Sequence, residues 1–324
     1  MTTHPQPAVS VIICAYTERR WRLLIAALAA LRLQTRPPLE VIVVVDHNPL
    51  LLARLRAFVP DVLILENTDD IGASGARNTA IVTARGDVLA FLDDDAVPQA
   101  DWLEHLTEPF SDPCVAGVGG ASVPHWEGGC PSWFPPEFNW VVGCSYPGMP
   151  ERRAPIRNLW GVNMALRRTV LLQSGLFNTA LGPVGTRPVN CEETELCIRI
   201  RQIDPHWMFF FEPCAVVKHE VPRARACWRY YLLRCFEEGR SKALVTALVG
   251  ASDGLRTERA YVTRLLPQSM LDYLGQALSG RDVRGGCGRA AALMAGLIAA
   301  ANGYLSGRIA QRGKASAGRG EASA

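Results

Sequence analysis

Four short β-branched runs alternate with three longer helical stretches in the first hundred residues, and this pattern constrains the fold more than any other feature. The runs are VSVIIC, LEVIVVV, VLILEN and VLAFL; RRWRLLIAALAALRLQT, PLLLARLRAF and IGASGARNTAIVTA lie between them. Parallel strands need crossovers, and strands covered on both faces read as continuous apolar runs, so the pattern predicts an α/β sheet with helices on both sides. Ligands of such sheets lie beyond the carboxyl ends of the strands. Chemistry is therefore expected just after each run, at Ala15 to Glu18, Asp46 to Asn48, Asn67 to Asp70 and Asp93 to Asp95.

Beyond residue 112 the texture changes. Residues 113–160 are rich in Gly, Pro and aromatics, and a mixed region follows with GVNMALRR, CEETELCIRIRQ, HWMFFFE and AVVKHEV. Helical patterns occupy 224–248 and 257–278, and Ala290 to Gly307 is free of charge. We divide the chain into 8–112, a half with a nucleotide-binding layout; 113–222, a mixed half; 223–312, a basic helical extension; and 313–324, a flexible tail. Charge follows this division: residues 1–220 carry 18 basic and 24 acidic groups, residues 221–324 carry 16 and 7. Ten cysteines show no CxxC spacing and several sit in apolar runs, which reads as reduced packing residues. The N-terminus has no charged-then-apolar leader, so the expected compartment is the cytoplasm.

Two acidic clusters carry the chemistry. Asp93, Asp94 and Asp95 end the fourth run, where adjacent carboxylates need a cation or a hydrogen-bond network, and hard oxygen ligands suit Mg²⁺ or Mn²⁺ carrying substrate phosphates. Alternation puts Asp93 and Asp95 on one side and Asp94 on the other. Glu192, Glu193 and Glu195 open a helix; Arg199, four residues on, pairs with Glu195 and leaves Glu192 and Glu193 free to act as a general base.

In this order these segments resemble the family 2 glycosyltransferases of the GT-A fold: AYTE (Ala15 to Glu18), EVIVVVD ending in Asp46, G-x-x-x-A-R-N from Gly72 to Asn78, RGDVLAFLDDD ending in Asp95, GVNMALRR and EE-x-E-L-x-x-R from 192 to 199. The resemblance runs from about Val9 to His219. It implies a Rossmann-like, mostly parallel sheet and an inverting transfer from a nucleoside diphosphate sugar, by expectation a UDP-sugar, to a carbohydrate or lipid-linked acceptor. By the same resemblance Ala15, Tyr16, Thr17, Glu18, Asp46, Arg77, Asp93 and Asp94 hold the nucleotide. Asp95, with Asp93 and His219, holds the metal, and Glu193 or Glu192 is the base. The aromatic loop with Trp126, Trp133 and Trp140 reads either as a wall of the acceptor pocket, together with Asn163, or as a cluster fastening a long loop.

The basic extension is expected to meet an anionic membrane surface, placing the protein at the cytoplasmic face of the membrane; no nucleic-acid module is present. Leu293, Leu297, Ala301 and Leu305 form an i,i+4 stripe, and the 18-residue window would span about 27 Å as a helix, short for a bilayer core. Rival readings are weaker. A dinucleotide oxidoreductase needs a Gly-rich turn after the first strand, where AYTERR stands. A sugar-nucleotide pyrophosphorylase lacks its basic Gly-rich loop, and a non-catalytic carbohydrate-binding relative does not need two intact acidic clusters.

Overall fold

The computed structural model describes residues 6–182, 191–250 and 260–321, with 312–321 described as backbone only. Nine strands form one sheet in the order β3-β2-β1-β4-β8-β6-β9-β5, with β7 on β9. The first four are β1 (Val9–Ala15), β2 (Glu40–Val45), β3 (Leu63–Glu66) and β4 (Val88–Asp93). They pair in parallel, as the four apolar runs predict. Alternate residues serve opposite layers: Val88, Ala90 and Leu92 join one core, while Leu89 and Phe91 join the other. Helices α1 (Trp21–Arg32), α2 (Pro49–Phe58) and α3 (Ala73–Thr83) make the crossovers.

The second half of the sheet is mixed. Strands β5 (Ala96–Pro98), β6 (Val115–Trp126), β7 (Ala154–Ile156), β8 (Asn163–Arg167) and β9 (Met208–Val221) include antiparallel β4·β8, β8·β6, β5·β9 and β7·β9 pairs and a parallel β6·β9 pair. Around them lie α4 (Trp102–Thr107), α5 (Arg168–Ser174) and α6 (Glu192–Ile203). The β5·β9 register pairs Ala96 with His219. That single pairing carries His219 to the acidic end of β4.

The extension forms α7 (Trp228–Val249), α8 (Leu266–Leu278) and α9 (Val283–Glu321). It packs against the 3₁₀ segment Pro136–Val142 in a third core built on Phe134, Phe138, Tyr231, Tyr273 and Leu293. Helices α7 and α9 run in the same direction, and their backbones meet at glycines. A Cβ on Gly239 would collide with the Ala300 carbonyl, and one on Gly303 with that of Phe236. The seam is therefore Ala292, Gly296, Gly303 and Gly307, all buried, whereas Ala301 and Leu305 of the expected stripe are exposed. Close backbone approach selected the small residues. The α9 backbone continues as helix through 313–321, where the sequence predicts a tail; Ala-rich RGKASAGRGE contains no proline to stop it. Residues 322–324 of that tail, and 257–259 of the predicted helix, lie outside the described residues. The ten cysteines are unpaired as expected, but Cys114, Cys130, Cys214, Cys227 and Cys287 are exposed and pack no core.

Candidate functional site

A cleft of about 1320 Å³ opens at the carboxyl ends of β1, β2 and β4 and continues between α7 and α9. Ala15, Tyr16, Asp46, Arg77, Asp93, Asp94, Asp95, Glu192, Glu193, His219 and Trp140 all line it. Residues more than a hundred positions apart in sequence thus meet at one surface.

Asp93, Asp95 and His219 each present a ligand atom, and these atoms lie within 4.8 Å of one another. His219 Nε2 stands 3.1 Å from Asp95 Oδ1, an oxygen that is buried and without a hydrogen bond. Arg20 caps the acids from the turn after β1, its Nη1 2.5 Å from Asp94 Oδ1 and its Nη2 2.8 Å from Asp95 Oδ2; Arg225 approaches Asp95 to 3.9 Å. Burial drives Asp94 up to about 7 against the pull of Arg20. Burial also pushes Asp95 upward, but His219, Arg20 and Arg225 outweigh it and hold that carboxyl below its usual range. His219 moves oppositely: burial opposes its charge, and Asp95 prevails and raises it. The sequence does not single out Arg20 and Arg225; the one available signal for Arg20 is its place two residues after AYTE, in the turn that follows the first strand.

A half-buried and a buried carboxylate with a buried imidazole, one oxygen lacking a hydrogen-bond partner, form a donor set that fits a hard divalent cation. The imidazole suits Mn²⁺ better than Mg²⁺, which prefers an all-oxygen, largely hydrated shell.

On the nucleotide side, Asp46 accepts hydrogen bonds from Asn67 Nδ2 at 2.7 Å and from the Gly72 amide at 2.9 Å, which fixes its carboxylate at the cleft floor. Gly72 has φ 122°, a region L residues avoid, so the turn into α3 requires glycine there. Tyr16 is 46% exposed, an aromatic face open to a ligand. Thr17 and Glu18 do not line the cleft. Thr17 Oγ1 accepts from the Arg19 amide and Glu18 accepts from Asn48, so both shape the turn that presents Tyr16 and Arg20.

Glu192 and Glu193 open α6 on the cleft, and Arg77 reaches both, at 2.9 Å and 3.2 Å. Arg199 pairs with Glu195 at 2.7 Å, as the four-residue spacing predicts. Burial and the neighbouring Glu192 push Glu193 up to about 8 despite Arg77. A carboxyl so raised can take a proton near neutral pH.

The expected acceptor residues separate. Trp140 lines the cleft, with its Nε1 donating to Tyr261 Oη at 3.1 Å. Trp126 and Trp133 do not. Trp133 stacks on Trp228 with ring centroids 4.4 Å apart, and Trp126 packs edge-on to Phe134, so these rings fasten the loop to α7. Asn163 is wholly buried: it accepts from Trp102 Nε1 and donates to the Ala121 and Ala215 carbonyls, a clip between strands. Other aromatic side chains that line the cleft include Tyr146, Trp160, Tyr230, Tyr261 and Tyr304. Three of these belong to the C-terminal extension.

Residues 10–174 match the family model described as Glycosyl transferase family 2. The glucosyl-dolichyl phosphate glucuronosyltransferase of Haloferax volcanii is 32% identical over 271 residues, covering 82% of this chain and 85% of its own. Among solved structures, the mannosyltransferase PcManGT from Pyrobaculum calidifontis, in complex with GDP-Man and Mn²⁺, superposes with a TM-score of 0.58 at 21% identity, covering 93% of this chain and 88% of its own. GalNAc-T7 with UDP, GalNAc and Mn²⁺ gives a TM-score of 0.51 at 18% identity over 67% of this chain and 44% of its own.

Proposed function

Because the chain belongs to the family 2 glycosyltransferases, has the GT-A fold and is a glycosyl-transferring enzyme, we propose that it moves a sugar from a nucleoside diphosphate sugar to a lipid-linked carbohydrate, inverting the anomeric centre. The observation that carries this reading is the convergence of Asp93, Asp95 and His219 in a cleft that Glu193 also lines. Structural neighbours with GDP-Man and UDP, both with Mn²⁺, support a metal-dependent donor site without choosing the base.

Tyr16 and Asp46 receive nucleobase and ribose at the ends of β1 and β2. Asp93, Asp95 and His219 would hold a divalent cation, which supplies positive charge against the charge developing on the leaving diphosphate. Arg225 stands close enough to add charge on the same side. Glu193, on the lining of the same cleft, accepts the proton of the acceptor hydroxyl as it attacks the face opposite the diphosphate. One displacement from that side inverts the centre.

The lipid-linked acceptor rests on the named substrate of the Haloferax volcanii relative and on the extension. Among the described residues one helix, Val283–Gln311, is long and apolar enough to cross a membrane, with a third of its most apolar window buried against the protein. Leu271, Leu278, Leu305 and Ile309 stand exposed on α8 and α9 near Arg281, Arg284 and Arg308. Apolar side chains beside arginines suit the interface of an anionic bilayer at the cytoplasmic face. Sedimentation with vesicles containing phosphatidylglycerol is expected to carry the protein down, less so with phosphatidylcholine alone or in high salt; equal recovery in the supernatant in all three would reject this attachment.

The donor is tested by thermal stabilisation with UDP-, GDP- and dTDP-sugars, each with Mn²⁺, Mg²⁺ or EDTA. A metal-dependent rise in Tm with one nucleotide class, by expectation UDP, is the predicted outcome. Stabilisation indifferent to metal for every donor would remove the reading.

A further inference from the structure

Arg77 stands where the resemblance puts a nucleotide contact, yet its packing ties it to the acidic pair. Its side chain is 7% exposed and its Nη1 bridges Glu192 Oε1 and Glu193 Oε1. The ring of Phe177 lies 5.3 Å beneath the guanidinium. Asn78, the next residue of α3, clips Phe177 on both sides, accepting from its amide at 2.9 Å and donating to its carbonyl at 3.0 Å. The loop backbone closes the opposite side: a Cβ on Gly161 would collide with Glu193 Oε1 and Arg77 Nη2. Swinging Arg77 toward a donor would strand the buried Glu192 carboxylate and the half-buried Glu193, which costs far more than parting an exposed pair.

The two glutamates differ. Glu192 has a side chain 3% exposed, and its Oε2 is buried without a hydrogen bond, whereas the side chain of Glu193 is 14% exposed at the cleft wall. We propose that Arg77 is a positioning residue: anchored by Glu192 and confined by Phe177 and Gly161, it holds the Glu193 carboxylate toward the acceptor, and Glu192 serves that anchor instead of touching the reactants. This rests on the reading of Glu193 as the base.

The electrostatics agree. The groups facing Glu193 are Arg77 from α3, Glu192 beside it and the thiols of Cys191 and Cys197; beyond Arg77 lie Cys14 and Asp93. Burial pushes all three thiols well above their ordinary range, so they stay neutral. Arg77 is the cation that lowers Glu193 against its burial.

The test separates positioning from nucleotide contact. For Arg77→Met we expect UDP affinity in Mn²⁺ within about 2-fold of wild type, turnover near neutral pH down about 10²-fold, and the acidic limb of the kcat profile about one unit higher in pH. Arg77→Lys, which restores charge but not the bridging geometry, should recover part of the limb position. An unmoved limb, or UDP affinity reduced tenfold with the limb in place, overturns the proposal. Should Arg77→Met fail to fold, Gly161→Ala decides: it keeps every charge but intrudes on Glu193, so lost turnover with intact UDP binding supports positioning, and full turnover overturns it. Near wild-type turnover in Glu193→Gln would instead fell the base reading. An inactive Glu193→Gln beside an unmoved Arg77→Met limb fells the positioning role alone.

Discussion

Asp95→Asn is expected to remove metal-dependent donor binding and to lower turnover by about 10³-fold, since it deletes one of the carboxylates proposed to hold the cation that offsets the charge developing on the leaving diphosphate. The argument is geometric. Asp95 is shared among His219 at 3.1 Å, Arg20 at 2.8 Å and Arg225 at 3.9 Å, and those cations hold it ionised although it is almost fully buried. Asparagine keeps the shape and loses the charge, leaving Arg20, His219 and Arg225 crowded around a neutral amide. Donor affinity that stays Mn²⁺-dependent at wild-type strength would move the metal site elsewhere.

Glu193→Gln is expected to leave nucleotide binding intact while turnover falls by about 10³-fold, within the range a positioned general base contributes. Asp95 and Glu193 thus separate donor binding from proton transfer. The same assignment gives the wild-type enzyme a pH dependence of definite sign. A base works deprotonated, and burial with Glu192 raises Glu193 to about 8, so kcat should climb as pH passes through that region and level off above it. Steady-state rates from pH 6 to 9.5 check this; a profile flat across the range would assign the proton to another group.

The donor half of the fold was legible because its information is local. Each strand from β1 to β4 is a single apolar run, and burial on both faces is what makes a run continuous. Asp46 and Asp93 to Asp95 follow such runs, and the rule that ligands bind beyond strand ends places them without further knowledge. The acceptor half depends on contacts distant in sequence. Asn163 sits in a motif-like segment but spends its amide on Trp102, Ala121 and Ala215, and no spacing distinguishes a clip from a ligand. Trp133 has the composition of a sugar platform and stacks on Trp228, ninety-five residues away. Arg77 was placed by analogy beside the nucleotide, whereas its partners lie more than a hundred residues on, at the start of α6. The glycine seam of α9 was hidden for another reason. Periodicity weights large apolar residues, and where two helix backbones nearly touch, the buried face carries the smallest ones.

That seam bears on function as well as stability. Tyr230, Tyr261 and Tyr304 reach the cleft because α7 and α9 are close-packed, and Tyr261 also donates to the Glu137 carbonyl and receives Trp140. The basic extension is part of the cleft wall.

Calorimetric titration of UDP, GDP and dTDP into the full-length protein, with Mn²⁺ and again with EDTA, addresses the metal-dependent donor site most directly. One nucleotide binding at least tenfold more tightly with Mn²⁺, and losing that advantage in Asp95→Asn, is the predicted result. Equal affinity with and without Mn²⁺ for all three nucleotides would contradict it.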